Sequence, residues 1–183
     1  MQREHLMEIA GVRLDVPSSQ PVVVLREAAG GRHVPIWVGT NEATSIVFAV
    51  QGIEPPRPLT HDLLLEVART FGRSVDKVRI HTVEGTVFHA ALVFDDGSVV
   101  DSRASDAIAL AARVDCPVLC SDAVLDAAGL IMTGDGELRE PDARESTGAS
   151  GSAADPDRRD GAEEKLREFR DFLDTVDPDD FMT

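Results

Sequence analysis

A change of composition at Thr133 sets the size of what this chain can fold. From Thr133 to Gly161 the sequence is Gly, Ser, Ala, Asp and Glu with almost no large apolar residue, so this stretch predicts a flexible acidic linker rather than a packed element. The core must then come from residues 1–132, enough for one domain. Beyond the linker, Leu166, Phe169 and Leu173 recur at helical spacing, and Glu163 lies four residues before Arg167. Residues 162–183 therefore predict a short amphipathic helix and tail, with three apolar side chains on one face that docking within an oligomer would cover.

Within residues 1–132 the pattern changes from strand-like to helical and back. Leu6 to Leu14, Pro21 to Glu27 and Arg32 to Val38 read as strands separated by turns, so an antiparallel sheet opens the fold. Glu42 to Val50 reads as a helix stopped by Gly52 and the Pro55-Pro56-Arg57-Pro58 run. A second helix follows from Thr60 to Phe71. Ser74 to Val83 and Thr86 to Phe94 form a hairpin about Glu84-Gly85, and Ser98 to Asp101 leads directly into a helix at Ser105. Pro117 to Cys120 reads as a short strand, and Ala123 to Ala128 as a last helix before Gly129. The fold class is α+β, a mixed and largely antiparallel sheet with packed helices, forming a single domain with a flexible acidic tail.

The formal net charge is −15. Residues 133–183 hold 16 acidic and 7 basic side chains, which places −9 there and leaves −6 on the domain. That balance opposes a broad basic face for nucleic acid. With aromatic content at 4% and no Tyr, stacking surfaces for bases are also scarce. Neither a signal-peptide pattern nor an apolar run of membrane-spanning length is present, so the expected location is cytoplasmic. Cys116 and Cys120 are too few for a disulfide framework and read as small buried residues of a strand. No phosphate-cradling glycine loop appears, which excludes the common nucleotide-binding folds.

Chemistry concentrates at two helix starts. Pro56-Arg57-Pro58-Leu59-Thr60-His61-Asp62 and Asp101-Ser102-Arg103-Ala104-Ser105-Asp106 each bring acid, base and hydroxyl groups to the N-terminus of an apolar helix. Thr60 is placed as an N-cap, and Asp62 and Asp106 lie where the helix dipole favours a negative charge. His61 has the chemistry of a general acid or base, while Arg57 and Arg103 have the fork that binds a phosphate with two hydrogen bonds. Asp62, Asp101 and Asp106, with Glu42 as a fourth, offer oxygen ligands for Mg²⁺ or Mn²⁺. The same residues also serve as helix caps and as Arg103–Asp106 or Arg57–Asp62 ion pairs that fix loop geometry. His5, His33, His81 and His89 fall in strand-like segments and read as sheet-face residues.

Three segments in this order resemble the bifunctional nuclease domain family: Val34-Pro35-Ile36-Trp37-Val38-Gly39 with Glu42-Ala43, Pro56 to Leu63, and Asp101 to Ala111. The resemblance covers roughly residues 5–131, and the Phe-Arg-Asp-Phe-Leu and Pro-Asp-Asp-Phe tail is similar to that of actinobacterial-type members. Ala104 stands where the family usually has Pro, which removes no polar group. The resemblance implies a self-associating α+β domain, a homo-oligomer, that hydrolyses phosphodiester bonds of RNA and DNA. On that reading His61, Asp62, Asp101 and Asp106 are the catalytic candidates, and Arg57, Thr60, Arg103 and Ser105 the substrate-binding ones. Glu42 joins Asp62, Asp101 and Asp106 as metal ligands. The alternative is a noncatalytic oligomeric ligand-binding or regulatory module built on the same two corners.

Overall fold

A computed structural model describes residues 3–15, 18–132 and 138–139. Nine strands form one sheet among these residues, in the order β6-β5-β4-β7-β1-β2-β3-β8-β9. They are β1 (Glu4–Asp15), β2 (Gln20–Glu27), β3 (Arg32–Trp37), β4 (Val75–Glu84), β5 (Val87–Phe94), β6 (Val99–Arg103), β7 (Val118–Ser121), β8 (Leu130–Met132) and β9 (Leu138–Arg139). Every neighbouring pair is antiparallel except β4 with β7, which align in parallel with Val78 opposite Val118. The fold is α+β with a mixed, largely antiparallel sheet. Four helices complete it: α1 (Thr40–Gln51), α2 (Thr60–Thr70), α3 (Ala104–Val114) and α4 (Asp122–Ala128).

Local sequence accounts for most of these elements. Gly85 lies at φ 60° between Glu84 and Val87, a left-handed position suited to glycine in the two-residue turn that joins β4 to β5. In β2, Val22 to Leu25 are all buried, as expected of a strand covered on both faces. Parallel β4 and β7 require a crossover, and β5, β6 and α3 supply it. The result brings α3 under β4 and β5, where Ala104, Ala107, Ile108, Ala109, Leu110 and Ala111 are buried. The alanines among them allow close approach on several sides of the helix, so α3 is the central helix against which α1 and α2 pack.

The sheet continues past residue 132, because β9 pairs with β8 through Ile131↔Arg139 and Met132↔Leu138. The apolar residues of α2 do not all turn inward: Leu65 is buried, whereas Leu63, Leu64, Val67 and Phe71 are exposed. The remainder of the expected linker and the amphipathic segment 162–183 lie outside the described residues. No helix among the described residues is long and apolar enough to cross a membrane.

Candidate active site

The first turns of α1, α2 and α3 meet on one side of the domain and enclose a cleft of about 570 Å³. Asn41, Glu42 and Ser45 come from α1, Pro58, Leu59, Thr60 and His61 from the start of α2, and Arg103 and Asp106 from the β6–α3 corner. The two segments that concentrate chemistry in the sequence thus face each other across one cavity.

His61 is held at both nitrogens. Its Nε2 lies 3.2 Å from Asp106 Oδ1 and its Nδ1 2.9 Å from Ser45 Oγ. The protons can be assigned from the surrounding donors. With Nε2–H donated to the Asp106 carboxylate, Nδ1 is the acceptor for the Ser45 hydroxyl, while Arg113 Nη2 donates to the same Oγ at 3.0 Å. Asp106 accepts from Arg103 Nε at 2.7 Å and Nη2 at 3.0 Å, a two-pronged pair, while Arg103 Nη1 donates to Glu42 Oε1 at 2.9 Å. The hydrogen bonds from Arg103, and then those from His61, hold the Asp106 carboxyl below the usual carboxylate range against the opposing effect of its burial. Asp106 and Glu42 in turn raise the Arg103 pKa, although the Arg103 side chain is 66% exposed at the mouth of the cleft.

A lowered carboxyl pKa fixes the sign of an acid-stability effect. Asp106 contributes stability above the ordinary aspartate pKa of about 3.9, and this is lost as pH falls through the lower folded value. An Asp106→Asn variant is therefore expected to be less stable than the wild type near pH 6. The gap in urea midpoint should close progressively below about pH 4. A gap independent of pH would show that the ionised form of Asp106 is not what stabilises the corner.

Asp62 does not join this cluster. A residue that follows His61 in a helix points about 100° around its axis. Asp62 Oδ2 instead accepts the Leu59 backbone N–H at 2.9 Å, and Asp62 Oδ1 accepts from Arg113 Nε at 2.6 Å. The expected cap is corrected accordingly: Leu59 occupies the N-cap position, Thr60 is the first helical residue, and the Asp62 carboxylate performs the capping. Thr60 lines the cleft, but Arg57, Asp101 and Ser105 do not. Asp101 is exposed on β6 opposite Ala91, and Ser105 lies in the first turn of α3.

The expected four-carboxylate metal centre is not assembled. Asp62 is engaged by Arg113, Asp106 and Glu42 by Arg103, and Asp101 stands outside the cleft. Among the described residues no group of three or more His, Cys, Asp or Glu side chains is arranged to hold a metal ion. Guanidinium groups take up the carboxylates of Asp62, Asp106 and Glu42, and Asp101 lies apart from them, so the donor set does not fit Mg²⁺ or Mn²⁺. The cysteines are equally unsuited, since burial pushes the Cys116 thiol up to about 11 and that of Cys120 up to about 12. Cys120 is in β7 as expected, whereas Cys116 precedes that strand.

Ser45 and Arg113 were not legible as site residues, being separated by 68 positions and embedded in apolar helices. Arg113 carried one signal: a charged residue at the end of the Ala-rich helix α3 demands a partner, and its side chain is only 8% exposed. Gly39 also belongs to the site. A Cβ there would lie 2.3 Å from Glu42 Oε2, so any side chain would displace the carboxylate that receives Arg103.

All of these groups from Gly39 to Arg113 fall within residues 23–133, which match the model of the bifunctional nuclease domain. The chain belongs to the bifunctional nuclease domain family. Its relatives include uncharacterized proteins from two strains of Mycobacterium tuberculosis, CDC 1551 / Oshkosh and ATCC 25618 / H37Rv. Each is 39% identical over 175 residues, covering 96% of this chain and 96% of the relative. The family match takes in the whole cleft, and the alignment with these relatives extends over nearly the entire chain.

Proposed function

We propose that the cleft binds and hydrolyses a phosphodiester of RNA or DNA. The observation that carries this reading is the exposed Arg103 guanidinium at the mouth of a cleft whose wall is the Asp106–His61 pair. Arg103 can exchange its carboxylate partners for the oxygens of a phosphate, which present the same geometry to its fork. Asp106 orients the imidazole, and His61 moves protons to and from the reacting oxygens. Family membership supports the same reaction class.

The donor set opposes a metal-assisted version, and no step is assigned to Mg²⁺ or Mn²⁺. A homo-oligomer is supported by the exposed Leu63, Leu64, Val67 and Phe71 of α2, a contiguous apolar face that a second subunit would cover. The second reading, a noncatalytic oligomeric ligand-binding module, is favoured by one feature: the two carboxylates at the cleft, Asp106 and Glu42, are already paired with the Arg103 guanidinium.

Cleavage of labelled single-stranded RNA and DNA by purified protein, in EDTA and in Mg²⁺ or Mn²⁺, separates the readings. Cleavage is expected to persist in EDTA. It is expected to fall about 100-fold in Arg103→Gln, the scale of removing one donor to a developing oxyanion. No cleavage under any condition, with folded protein, would hand the site to the ligand-binding reading. Equal cleavage by both proteins would remove Arg103 from it.

A further inference from the structure

Hydroxyl side chains inside these helices ordinarily turn back on their own backbone. Thr44 Oγ1 donates to the Thr40 carbonyl at 2.9 Å and Thr70 Oγ1 to the Glu66 carbonyl at 2.8 Å. Ser45, next to Thr44 in the middle of α1, does not. Its hydroxyl crosses to α2 and meets His61 Nδ1 at 2.9 Å, while Arg113 Nη2 of α3 approaches the same oxygen at 3.0 Å. The His61 ring is oriented in turn by Asp106 at 3.2 Å. A hydroxyl, a base within hydrogen-bond reach and a carboxylate that orients the base form the arrangement that activates an enzyme nucleophile. Here the imidazole is reversed relative to the serine-protease triad, with Nδ1 rather than Nε2 facing the serine.

A merely structural bridge between helices does not need Ser45 to reach a cavity, yet Ser45 and His61 both line the cleft beneath Arg103. The charged guanidinium of Arg113, paired with Asp62 Oδ1 at 2.6 Å, also donates a hydrogen bond to the oxygen that would become an alkoxide. Its side chain is 8% exposed, so water screens that charge weakly.

We infer that Ser45 is a nucleophile that forms a covalent phosphoserine intermediate. This rests on the phosphodiester reading of the cleft. The Ser45 Oγ–P bond forms as the P–O bond to the departing strand breaks; the hydroxyl proton passes to His61 Nδ1, and the departing oxygen, in line on the far side of phosphorus, takes a proton from solvent. Water then attacks the same phosphorus from the far side and loses its proton to solvent, His61 Nδ1 returns its proton to Ser45 Oγ as the Oγ–P bond breaks, and the other strand leaves as a phosphomonoester. One water is consumed, one diester bond is cut, and the enzyme is restored. Because the nucleophile belongs to the protein, the reaction needs no 2′-hydroxyl and serves RNA and DNA alike.

Diisopropyl fluorophosphate tests this directly, since it phosphorylates a serine only when the hydroxyl is activated, releasing fluoride. Full-length protein is expected to take up about one adduct per chain, mapped by peptide mass spectrometry to Ser45. Labelling should slow about 100-fold in His61→Ala and disappear at this position in Ser45→Ala. The wild-type labelling result stands even where a variant does not fold, and circular dichroism reports on the variants. Absence of an adduct at Ser45 in folded wild-type protein overturns the inference. So does cleavage of nucleic acid by folded Ser45→Ala at the wild-type rate. Cleavage without labelling leaves the nuclease reading standing with water as the nucleophile. Labelling without cleavage retains Ser45 as the nucleophile and moves the substrate to another ester class.

Discussion

Replacing His61 by alanine is expected to reduce kcat/KM for phosphodiester cleavage by about 10²–10⁴-fold, the range of a lost general acid–base group. His61 is the one side chain that joins the two chemical corners of the cleft, touching Ser45 of α1 and Asp106 of α3 from the first turn of α2. Its removal leaves the Ser45 proton without an acceptor and Asp106 with Arg103 alone. The loss should appear in kcat more than in KM, because Arg103, the group assigned to hold the phosphate, is untouched. His61→Gln retains hydrogen bonding but cannot relay a proton, so it should restore thermal stability without restoring rate. A His61→Ala protein that is folded and cleaves at more than about a tenth of the wild-type rate would exclude His61 from proton transfer.

The sequence located this cleft better than it assigned the roles within it. Local signals sufficed for most strands and helices because alternation in β1 and β4, the continuous apolar run of β2 and the Pro-rich stop before α2 are each contained in a few consecutive residues. β8 and β9, of three and two residues, are too short to show any period. The parallel pairing of β4 with β7 depends on a crossover through α3, which no local pattern encodes. At the candidate site, the Pro56–Asp62 and Asp101–Asp106 segments both border one cleft, and His61, Thr60, Arg103, Asp106 and Glu42 line it. The error concerned rotation about the helix axis. Asp62 follows His61 directly and so faces Arg113 instead of the cavity. Ser45 was invisible because its partners, His61 and Arg113, are 16 and 68 residues away.

Arg113 carries the second large effect, and here stability responds first. Its guanidinium donates to Asp62 Oδ1 at 2.6 Å, to the Ser45 carbonyl at 3.1 Å, to the Ala109 carbonyl at 2.9 Å and to Ser45 Oγ at 3.0 Å. One side chain of α3 thereby fastens both α1 and α2. Arg113→Met keeps the volume but leaves the Asp62 carboxylate without its cation. Breaking one side of a buried pair costs about 3–5 kcal/mol; because Asp62 is 31% exposed, the lower end, about 3 kcal/mol in urea unfolding, is expected. Arg113→Lys keeps the charge but lacks the planar fork that reaches Asp62 and Ser45 together, so it should recover less than half of the loss. Asp62→Asn in the Met background should then cost less than in the wild type, since the carboxylate it removes is already unpaired. A loss below about 1 kcal/mol in Arg113→Met would mean that apolar packing alone joins the three helices. In that case the hydrogen bond from Arg113 to Ser45 serves the chemistry of the cleft rather than its construction.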